Sequence, residues 1–130
     1  MPQNAQQRPV AVVTGGTSGI GLAIAQALAR DHQVYVIGRR PVALQSEEHA
    51  HLIPVSLDIR DSCAVADFVA TLPRLDVLVH SAAVAQPYRV AEATPEVWQH
   101  HFAINVFAPA ELTRLALPKL RDSRGQLVFI

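Results

Sequence analysis

A glycine-rich turn near the start of the chain restricts the possible folds more than any other feature. Residues 14–21 read TGGTSGIG, and they follow the apolar run VAVV at residues 10–13. A strand that ends in such a turn and leads into a helix presents unpaired N–H groups and the positive end of the helix dipole to an anion. Glycine suits this place because a Cβ would obstruct a left-handed turn and the approach of phosphate oxygens to the backbone. A turn without a ligand is the alternative, but the position between an apolar strand and a helix favours a site for the diphosphate of a dinucleotide.

Apolar runs and helix-patterned segments alternate along the rest of the chain. In the runs VYVI at residues 34–37 and VLV at residues 77–79 the apolar residues are consecutive, which is typical of parallel strands covered by helices on both faces. The sequence therefore predicts an α/β fold, a Rossmann-type doubly wound parallel sheet in a three-layer α/β/α arrangement. Residues 41–50, which include Pro41, are expected to form at most a short helix. Strands are predicted near residues 9–14, 33–38, 52–57, 75–82 and 126–130, and helices near residues 18–30, 62–71 and 95–121.

The composition limits the classes of protein that this chain could represent. Its 130 residues, half of them apolar, are enough for one hydrophobic core. The 11 basic residues balance 11 acidic ones, so no net charge favours nucleic acid or an anionic membrane. Cys63 is the only cysteine, which excludes an internal disulfide and fits a reducing compartment.

The apolar runs are also too short for a membrane protein, because a span needs roughly 18 apolar residues in succession. The first eight residues, MPQNAQQR, lack the apolar segment of a signal peptide. We therefore expect a cytoplasmic protein with a disordered tail at residues 1–8 and one dinucleotide-binding domain at residues 9–130. No lysine follows the glycines as it does in the phosphate-binding loop of ATPases, which excludes that class.

The turn and several later landmarks resemble the N-terminal, cofactor-binding portion of the short-chain dehydrogenase/reductase family. The glycine spacing of residues 14–21 has the form found in that family. The segment LDVLVHSAA at residues 75–83 looks like the family's fourth strand, which normally ends in Asn-Asn-Ala-Gly. Trp98 and the segment INV at residues 104–106 match the spacing of its long fourth helix. The resemblance covers residues 9–130.

This resemblance implies that the cofactor is a nicotinamide dinucleotide and that three segments contact it. The glycine turn would hold the diphosphate, Asp58 and Ile59 would surround the adenine, and the end of the fourth strand would support the nicotinamide ribose. That strand ends in HSAA, which leaves open how side chains brace the ribose. For His80, a hydrogen-bonded place at a strand end is preferred to a catalytic role. The residues implied are Gly15, Thr17, Ser18, Gly19, Ile20, Gly21, Asp58, Ile59, His80, Ser81, Ala82 and Ala83.

The residues that follow the second strand indicate which dinucleotide is preferred. An enzyme that prefers NAD(H) usually has an acid at this point to receive the ribose hydroxyls, whereas this strand is followed by Arg39 and Arg40. Guanidinium groups bind a phosphate through paired hydrogen bonds, so both arginines are expected to bind the 2′-phosphate of NADP(H). Gly38 would leave room for that phosphate. The alternative is that both arginines are only solvated surface residues.

Pro109 suggests a distortion in the long helix predicted for residues 95–121. It has no N–H, so the carbonyl of Asn105, four residues earlier, has no helical donor and is free for water. In the family that this chain resembles, the corresponding asparagine holds a water that continues a proton relay from the catalytic lysine. Asn105 is therefore the candidate catalytic residue; the alternative is that Asn105 only accommodates a kink.

The same helix is apolar around much of its circumference. Trp98, Phe102 and Leu112 are expected near one side, while the 3.6-residue period directs Phe107 away from Phe102. Burial on two sides predicts one contact with the sheet and one with another subunit, and the resemblance implies a homo-oligomer, a dimer or a tetramer. His100 and His101 are adjacent and so point in different directions on a helix, where they are not expected to ligate one metal ion together. No metal site is predicted.

The chain stops at the predicted fifth strand, and the resemblance places the catalytic serine and Tyr-x-x-x-Lys of the family after that strand. In the family the tyrosine transfers the proton of the substrate hydroxyl, the lysine lowers its pKa and the serine orients the carbonyl. We expect a truncated polypeptide that aggregates or binds partners when it is expressed alone, because later elements would cover its apolar faces. The alternative is a naturally short protein.

The function predicted from this resemblance is NADP(H)-dependent interconversion of an alcohol and a carbonyl on a small-molecule substrate. The chain would supply the cofactor-binding part of that oxidoreductase. A non-catalytic NADP(H)-binding sensor or interaction module is the alternative. The substrate itself is not predicted, because the segments that shape its pocket follow residue 130 in the family.

Overall fold

A five-stranded parallel sheet forms the centre of the protein. The computed structural model describes residues 7–40 and 50–130. The strands lie in the order β3-β2-β1-β4-β5, and every neighbouring pair is parallel. Chain order therefore runs outward from β1 in both directions, and the direction changes between β1 and β4, which is where open α/β sheets form a ligand crevice. The strands are β1 (Val10–Thr14), β2 (Gln33–Gly38), β3 (Leu52–Ser56), β4 (Val77–His80) and β5 (Gln126–Phe129).

Helices cover both faces of this sheet. On one face α1 packs against a cluster that includes Ala11 and Val36, and on the other α2 and α4 pack around Val12 and Leu78. Successive residues of β1 thus point to opposite cores, which explains why its apolar residues are consecutive. The helices are α1 (Gly19–Leu28), α2 (Ser62–Thr71), α3 (Pro95–Phe102) and α4 (Ala108–Ser123), with a π-helix at Ala103–Phe107 and a 3₁₀ turn at Val90–Glu92.

The predicted three-layer α/β/α fold is confirmed, and each predicted strand has a counterpart within a few residues of its expected bounds. The short helix considered for residues 41–50 falls outside the described residues, apart from residue 50. The tail expected at residues 1–8 also lies mainly outside them. Arg8 is described, and its guanidinium donates hydrogen bonds to the carbonyls of Ala29 (2.9 Å) and His32 (3.4 Å).

The long helix predicted for residues 95–121 is interrupted. Its middle is the π-helix Ala103–Phe107, in which the N–H of Ala108 donates to the carbonyl of Ala103. Because π-helical hydrogen bonds join residues five apart, such residues come to the same side. The rings of Phe102 and Phe107 accordingly lie 6.1 Å apart, centre to centre, so the prediction that Phe107 points away from Phe102 is wrong. Leu112 is buried in the core, whereas Trp98 is 58% exposed, so these two do not share a surface as expected.

Within residues 7–40 and 50–130, no helix has both the length and the apolar composition that crossing a membrane requires. The described part of the chain also brings together no group of three or more His, Cys, Asp or Glu side chains that could hold a metal ion. The rings of His100 and His101 are nearly perpendicular to each other, at 88°.

Candidate cofactor site

A crevice of about 590 Å³ opens at the carboxyl ends of the strands. The topology gathers there the glycine turn after β1, the residues after β2 and β3, and the loop after β4. Most of the residues implied by the sequence therefore meet in one place although they are far apart in the chain. Those that line the crevice are Gly15, Thr17, Ser18, Ile20, Gly21, Arg39, Arg40, Asp58, Ile59, Ser81, Ala82 and Ala83.

Three of the predicted site residues lie elsewhere. Gly19 is part of the turn but outside the crevice wall, His80 is buried behind the end of β4, and Asn105 lines a neighbouring cavity. Part of the crevice wall was not predicted from the sequence. Gly38, expected only to leave room for a phosphate, is part of the wall. The residues that line the crevice without having been mentioned for the site are Ile37, Leu57, Arg60, Val84, Ile104 and Ile130.

The glycine turn is held in its shape by contacts that leave no room for side chains. A Cβ at Gly21 would lie 2.2 Å from the carbonyl oxygen of Gly15, and Gly15 itself has a left-handed φ of 64°. The N–H of Gly15 donates to the carbonyl of Ile37, which fixes the turn to β2. Gly19, with a φ of 56°, has open space around it, so only its backbone conformation requires glycine.

The helix that follows the turn begins with free donors. Ser18 is the N-cap residue of α1, and its side chain makes no capping hydrogen bond. The first N–H groups of the helix therefore keep their capacity to bind an anion in the crevice, and the dipole of a ten-residue helix adds to the attraction. Ile20, in the first turn, is 67% exposed and lines the crevice beside them.

The end of β2 packs directly against the glycine turn. A Cβ at Gly38 would lie 2.8 Å from the Cγ2 atom of Thr17, so this glycine makes room for a side chain of the turn. Arg39 and Arg40 follow at the rim, both exposed and both lining the crevice. The rim at β2 is therefore a cationic surface next to the first N–H groups of α1.

Asp58 at the end of β3 is engaged by a further arginine. The guanidinium of Arg60 donates from Nε to both carboxylate oxygens (3.0 and 3.2 Å) and from Nη2 to Oδ2 (2.7 Å). The backbone N–H of Arg60 adds a bond of 3.0 Å to Oδ1. The bonds from the guanidinium contribute most, and the backbone bond adds to them; together they lower the pKa of Asp58 to about 2. The carboxylate is therefore ionised at neutral pH.

The loop after β4 is fixed to β1 by one hydroxyl group. Thr14 Oγ1 accepts hydrogen bonds from the N–H groups of Ser81 (3.2 Å) and Ala82 (3.1 Å) and donates to the carbonyl of Val79 (3.5 Å). Thr14 is 1% exposed, so these bonds are shielded from water. The backbone at this end of the crevice is therefore held in place whatever side chains follow His80.

His80 supports the same region from behind. It is 5% exposed, its Nε2 is hydrogen bonded to Thr113 Oγ1 of α4 at 2.9 Å, and its ring stacks on Phe129 of β5 at 4.8 Å between centres. Burial lowers the pKa of His80 to about 4, so the ring is neutral at pH 7. Its position is that of a hydrogen-bonded residue at a strand end.

Asn105, in the π-helix, holds the next residue of the loop at two points. Its Oδ1 accepts from the N–H of Val84 (2.9 Å), and its Nδ2 donates to the carbonyl of Val84 (2.8 Å). Ile104 and Val84 line the crevice, whereas Asn105 lines a separate cavity of about 460 Å³ that is largely apolar. The π-helix is thus the partition between the two cavities.

A parallel sheet covered by helices on both faces, with a glycine turn opening into a crevice at its switch point, defines a nucleotide-binding α/β protein of the Rossmann type. The chain matches the family model described as short chain dehydrogenase over residues 9–130. It therefore belongs to the short-chain dehydrogenase family, as the resemblance predicted.

Relatives of known name agree with this assignment. The chain is 35% identical to the granaticin polyketide synthase putative ketoacyl reductase 2 of Streptomyces violaceoruber, an alignment that covers 100% of this chain and 57% of the relative. It is 35% identical to dehydrogenase/reductase SDR family member 4 of Homo sapiens, over 93% of this chain and 48% of the relative. The chain spans about half the length of the curated relatives that it matches.

Solved structures give the same result. The crystal structure of a short-chain dehydrogenase from Streptomyces avermitilis superposes with a TM-score of 0.84 at 34% identity, covering 94% of this chain and 48% of that one. The serine dehydrogenase of Escherichia coli superposes with a TM-score of 0.82 at 28% identity, covering 92% of this chain and 60% of that one.

Proposed function

We propose that this chain is the cofactor-binding part of an oxidoreductase that interconverts an alcohol and a carbonyl on a small molecule, with NADP(H) preferred to NAD(H). The observation that supports it best is the crevice, where free N–H groups of α1 meet the arginines after β2. The nicotinamide would supply or accept a hydride when bound. The family's serine and Tyr-x-x-x-Lys, which would complete the proton transfer, are not among these 130 residues.

The dinucleotide would lie across the crevice with its adenosine half toward β2 and β3 and its nicotinamide half toward β4. The diphosphate would lie on the glycine turn, which occupies the middle of the crevice at the carboxyl end of β1. The cationic rim at β2 would take the phosphorylated adenosine half, with Asp58 and Ile59 beyond it around the base. The nicotinamide half would then extend toward Ala83 and toward Ser81 and Ala82, whose N–H groups donate to Thr14. Gly19 and His80 would shape the site from outside its wall.

The preference for NADP(H) is proposed from charge. The 2′-phosphate carries nearly two negative charges, and Arg39 and Arg40 line the crevice without an acid among the residues that end β2. Arg39→Ala is expected to raise the Kd for NADPH by about 10- to 100-fold, the value of a charge-assisted hydrogen bond, and to change that for NADH by much less. Titration of the reduced nicotinamide fluorescence measures both.

Arg30→Ala is the matched control for that experiment. Arg30 is also an exposed arginine, but it follows the far end of α1 and does not line the crevice. Its removal should leave both dissociation constants unchanged. Equal dissociation constants for NADPH and NADH in the unaltered protein, or an Arg39→Ala protein that binds NADPH undiminished, would overturn the preference.

The catalytic part proposed for Asn105 concerns its carbonyl rather than its side chain. The side chain is already committed to Val84, and Pro109 supplies no N–H at the position where an α-helix would provide the carbonyl with a donor. A water bound to this carbonyl would extend a proton relay from the lysine of the complete enzyme.

A homo-oligomer, a dimer or a tetramer, is also proposed, together with a cytoplasmic location. Trp98, Phe102 and Phe107 form a chain of aromatic contacts along α3 and the π-helix, and all three are exposed, Phe107 by 63%. A continuous apolar surface of this kind is typical of a subunit contact. Sedimentation equilibrium of the protein would contradict the proposal if it found only monomers.

A further inference from the structure

Asp58 and Arg60 make more hydrogen bonds with each other than the single contact of a simple surface ion pair. An exposed pair usually holds its partners loosely. Here one guanidinium contacts both carboxylate oxygens and the backbone of the same residue contacts one of them again, so the carboxylate has a fixed orientation. Both residues line the crevice, and their side chains remain 37% (Asp58) and 40% (Arg60) exposed, so a ligand can reach them.

Topology assigns this pair to one part of the proposed ligand. In the sheet β3 lies beyond β2 as seen from β1. If the diphosphate lies at the end of β1 and the ribose phosphate at the end of β2, the adenine ring extends to the end of β3. Leu57 and Ile59 provide apolar wall at that point, and Asp58 provides the charged acceptor between them. The amino group of adenine is a hydrogen-bond donor, which a carboxylate can bind.

We infer that Arg60 is a positioning residue for base recognition: it fixes the Asp58 carboxylate so that one remaining lone pair accepts from the adenine amino group. This inference rests on the proposed function. A carboxylate has about four acceptor positions, and three N–H groups of Arg60 occupy it, with Nε shared between the two oxygens. Each oxygen has two of these contacts, but the single Nε–H is divided between them, so the three donors leave room for about one more. Without Arg60 the carboxylate can rotate and be solvated, so it should discriminate less between a base that carries an amino group and one that does not.

The charge of the pair supports this assignment over direct phosphate binding. Arg60 already has a carboxylate partner, whereas the described structure shows Arg39 and Arg40 at the rim without an ion pair within hydrogen-bonding distance. The two rim arginines are therefore the better ligands for a phosphate. Arg60 instead keeps Asp58 ionised, since its hydrogen bonds hold the pKa of that carboxyl far below the ordinary value.

The test compares two ligands that differ only at the base. NADPH carries the 6-amino group, and its hypoxanthine analogue carries a carbonyl oxygen that repels a carboxylate. The unaltered chain should bind NADPH more tightly by about tenfold, as expected for one charge-assisted hydrogen bond. Arg60→Ala should reduce the ratio of the two dissociation constants, hypoxanthine analogue over NADPH, several-fold toward one. Arg60→Lys, which keeps the charge but not the paired geometry, should restore this ratio in part.

Asp58→Asn provides the internal control. It should reduce the ratio at least as much as Arg60→Ala, and in the double variant the loss of Arg60 should have no further effect on the ratio. Melting temperatures close to that of the unaltered chain would show that each variant folds. A ratio unchanged in Arg60→Ala, or a ratio that still responds to Arg60 when Asp58 is Asn, would overturn the inference.

Two further results distinguish base recognition from phosphate binding and from a failure to bind the dinucleotide at all. Arg60→Ala could weaken the binding of NADPH relative to that of NADH and leave the ratio of dissociation constants between NADPH and its hypoxanthine analogue constant. In that case Arg60 is a phosphate ligand and the inference is wrong. If the unaltered chain binds neither NADPH nor NADH, the proposed function itself fails, and the inference fails with it.

Discussion

The two sides of the crevice are shaped by different kinds of interaction. On the side of β2 the shape comes from side chains that are absent: a Cβ at Gly21 would meet the carbonyl of Gly15, and one at Gly38 would meet Thr17. On the side of β4 the shape comes from side chains that are present and bond the backbone, as Asn105 does at Val84. One side is therefore sensitive to any added atom, and the other to the loss of a hydrogen bond.

This difference explains which side of the crevice can be predicted from the sequence. The glycines stand together in residues 14–21, so their pattern is visible in a single short string. The bond between Thr14 and the N–H of Ser81 joins residues 67 positions apart, and no local pattern indicates it. The β4 side ends in HSAA instead of the Asn-Asn-Ala-Gly that the resemblance leads one to expect, and Thr14 holds the backbone there.

The largest effect is expected on the glycine side. Gly21→Ala should destabilise the protein by about 3 kcal/mol, because its Cβ would lie 2.2 Å from the Gly15 carbonyl oxygen and the backbone must shift. The displaced turn should also weaken the binding of NADPH by ~100-fold or more, equivalent to about 2.7 kcal/mol. Urea unfolding and NADPH titration measure the two quantities.

Gly19→Asn is the control for that variant. The position has open space, and asparagine tolerates a left-handed backbone better than other side chains, so the cost should stay near ~1 kcal/mol. If Gly19→Asn were as damaging as Gly21→Ala, conformation rather than crowding would shape this side of the crevice.

On the β4 side, acid should have a large effect through His80. Burial lowers its pKa from 6.5 to about 4, so between these values the unfolded chain binds a proton that the folded chain does not. Stability contributed by the neutral ring is complete above pH 6.5 and decreases as the pH falls toward 4, by up to about 3 kcal/mol. Carboxylates titrate mainly below this range, so His80 should dominate the slope.

His80→Gln removes the titrating group but keeps an amide near the position of Nε2, where it can bond Thr113. At pH 7 it should cost about 1 kcal/mol, the value of the lost stacking on Phe129, while the difference between pH 7 and pH 4.5 should become smaller than in the unaltered protein. Urea unfolding at both pH values measures this. An equal pH dependence in the two proteins would mean that His80 is not the buried neutral group described above.

A smaller effect is expected from the clamp on Val84. Asn105→Ala removes two exposed hydrogen bonds and should cost about 1 kcal/mol. Exchange of the Val84 amide hydrogen should become about tenfold faster, since its acceptor is gone. Asn105→Asp keeps an acceptor oxygen, so this amide should remain protected; fast exchange in both variants would show that Oδ1 is not its partner.

The relay proposed for Asn105 needs a separate variant, because a side-chain substitution leaves its carbonyl in place. Pro109→Ala introduces an N–H that can bond this carbonyl in place of water. In the complete enzyme it should lower kcat by about tenfold, equivalent to about 1.4 kcal/mol, without changing the Kd for NADPH. An unchanged kcat would contradict the relay.

Much of the fold follows from the sequence for physical reasons. Consecutive apolar residues in β1 and β2 require cover on both faces, and the glycine turn fixes where the first strand ends and α1 begins. The long helix was predicted less well. Pro109 indicated a distortion, but a proline does not determine whether the helix kinks or forms a π-helix, and so the contact between Phe102 and Phe107 was missed.

Within the site, the residues found from the sequence were those that belong to a compact motif. Arg60 was missed because its importance comes from the orientation of its side chain toward Asp58, and an arginine at that position looks like a solvated charge. Ile130 and Ile104 were missed because an apolar residue in a strand or helix is ordinarily assigned to the core. Both kinds of contribution depend on where the fold directs a side chain.

The π-helix has one more consequence. It contains a single additional residue relative to an α-helix, so the helical phase before Ala103 is offset from the phase after it. The buried positions of α4 repeat every four residues from Ala108 through Leu112 and Ala116 to Leu120, and this register is independent of the aromatic register upstream. A one-residue deletion in the π-helix would therefore rotate the aromatic surface around the helix axis while leaving the packing of α4 on the sheet intact.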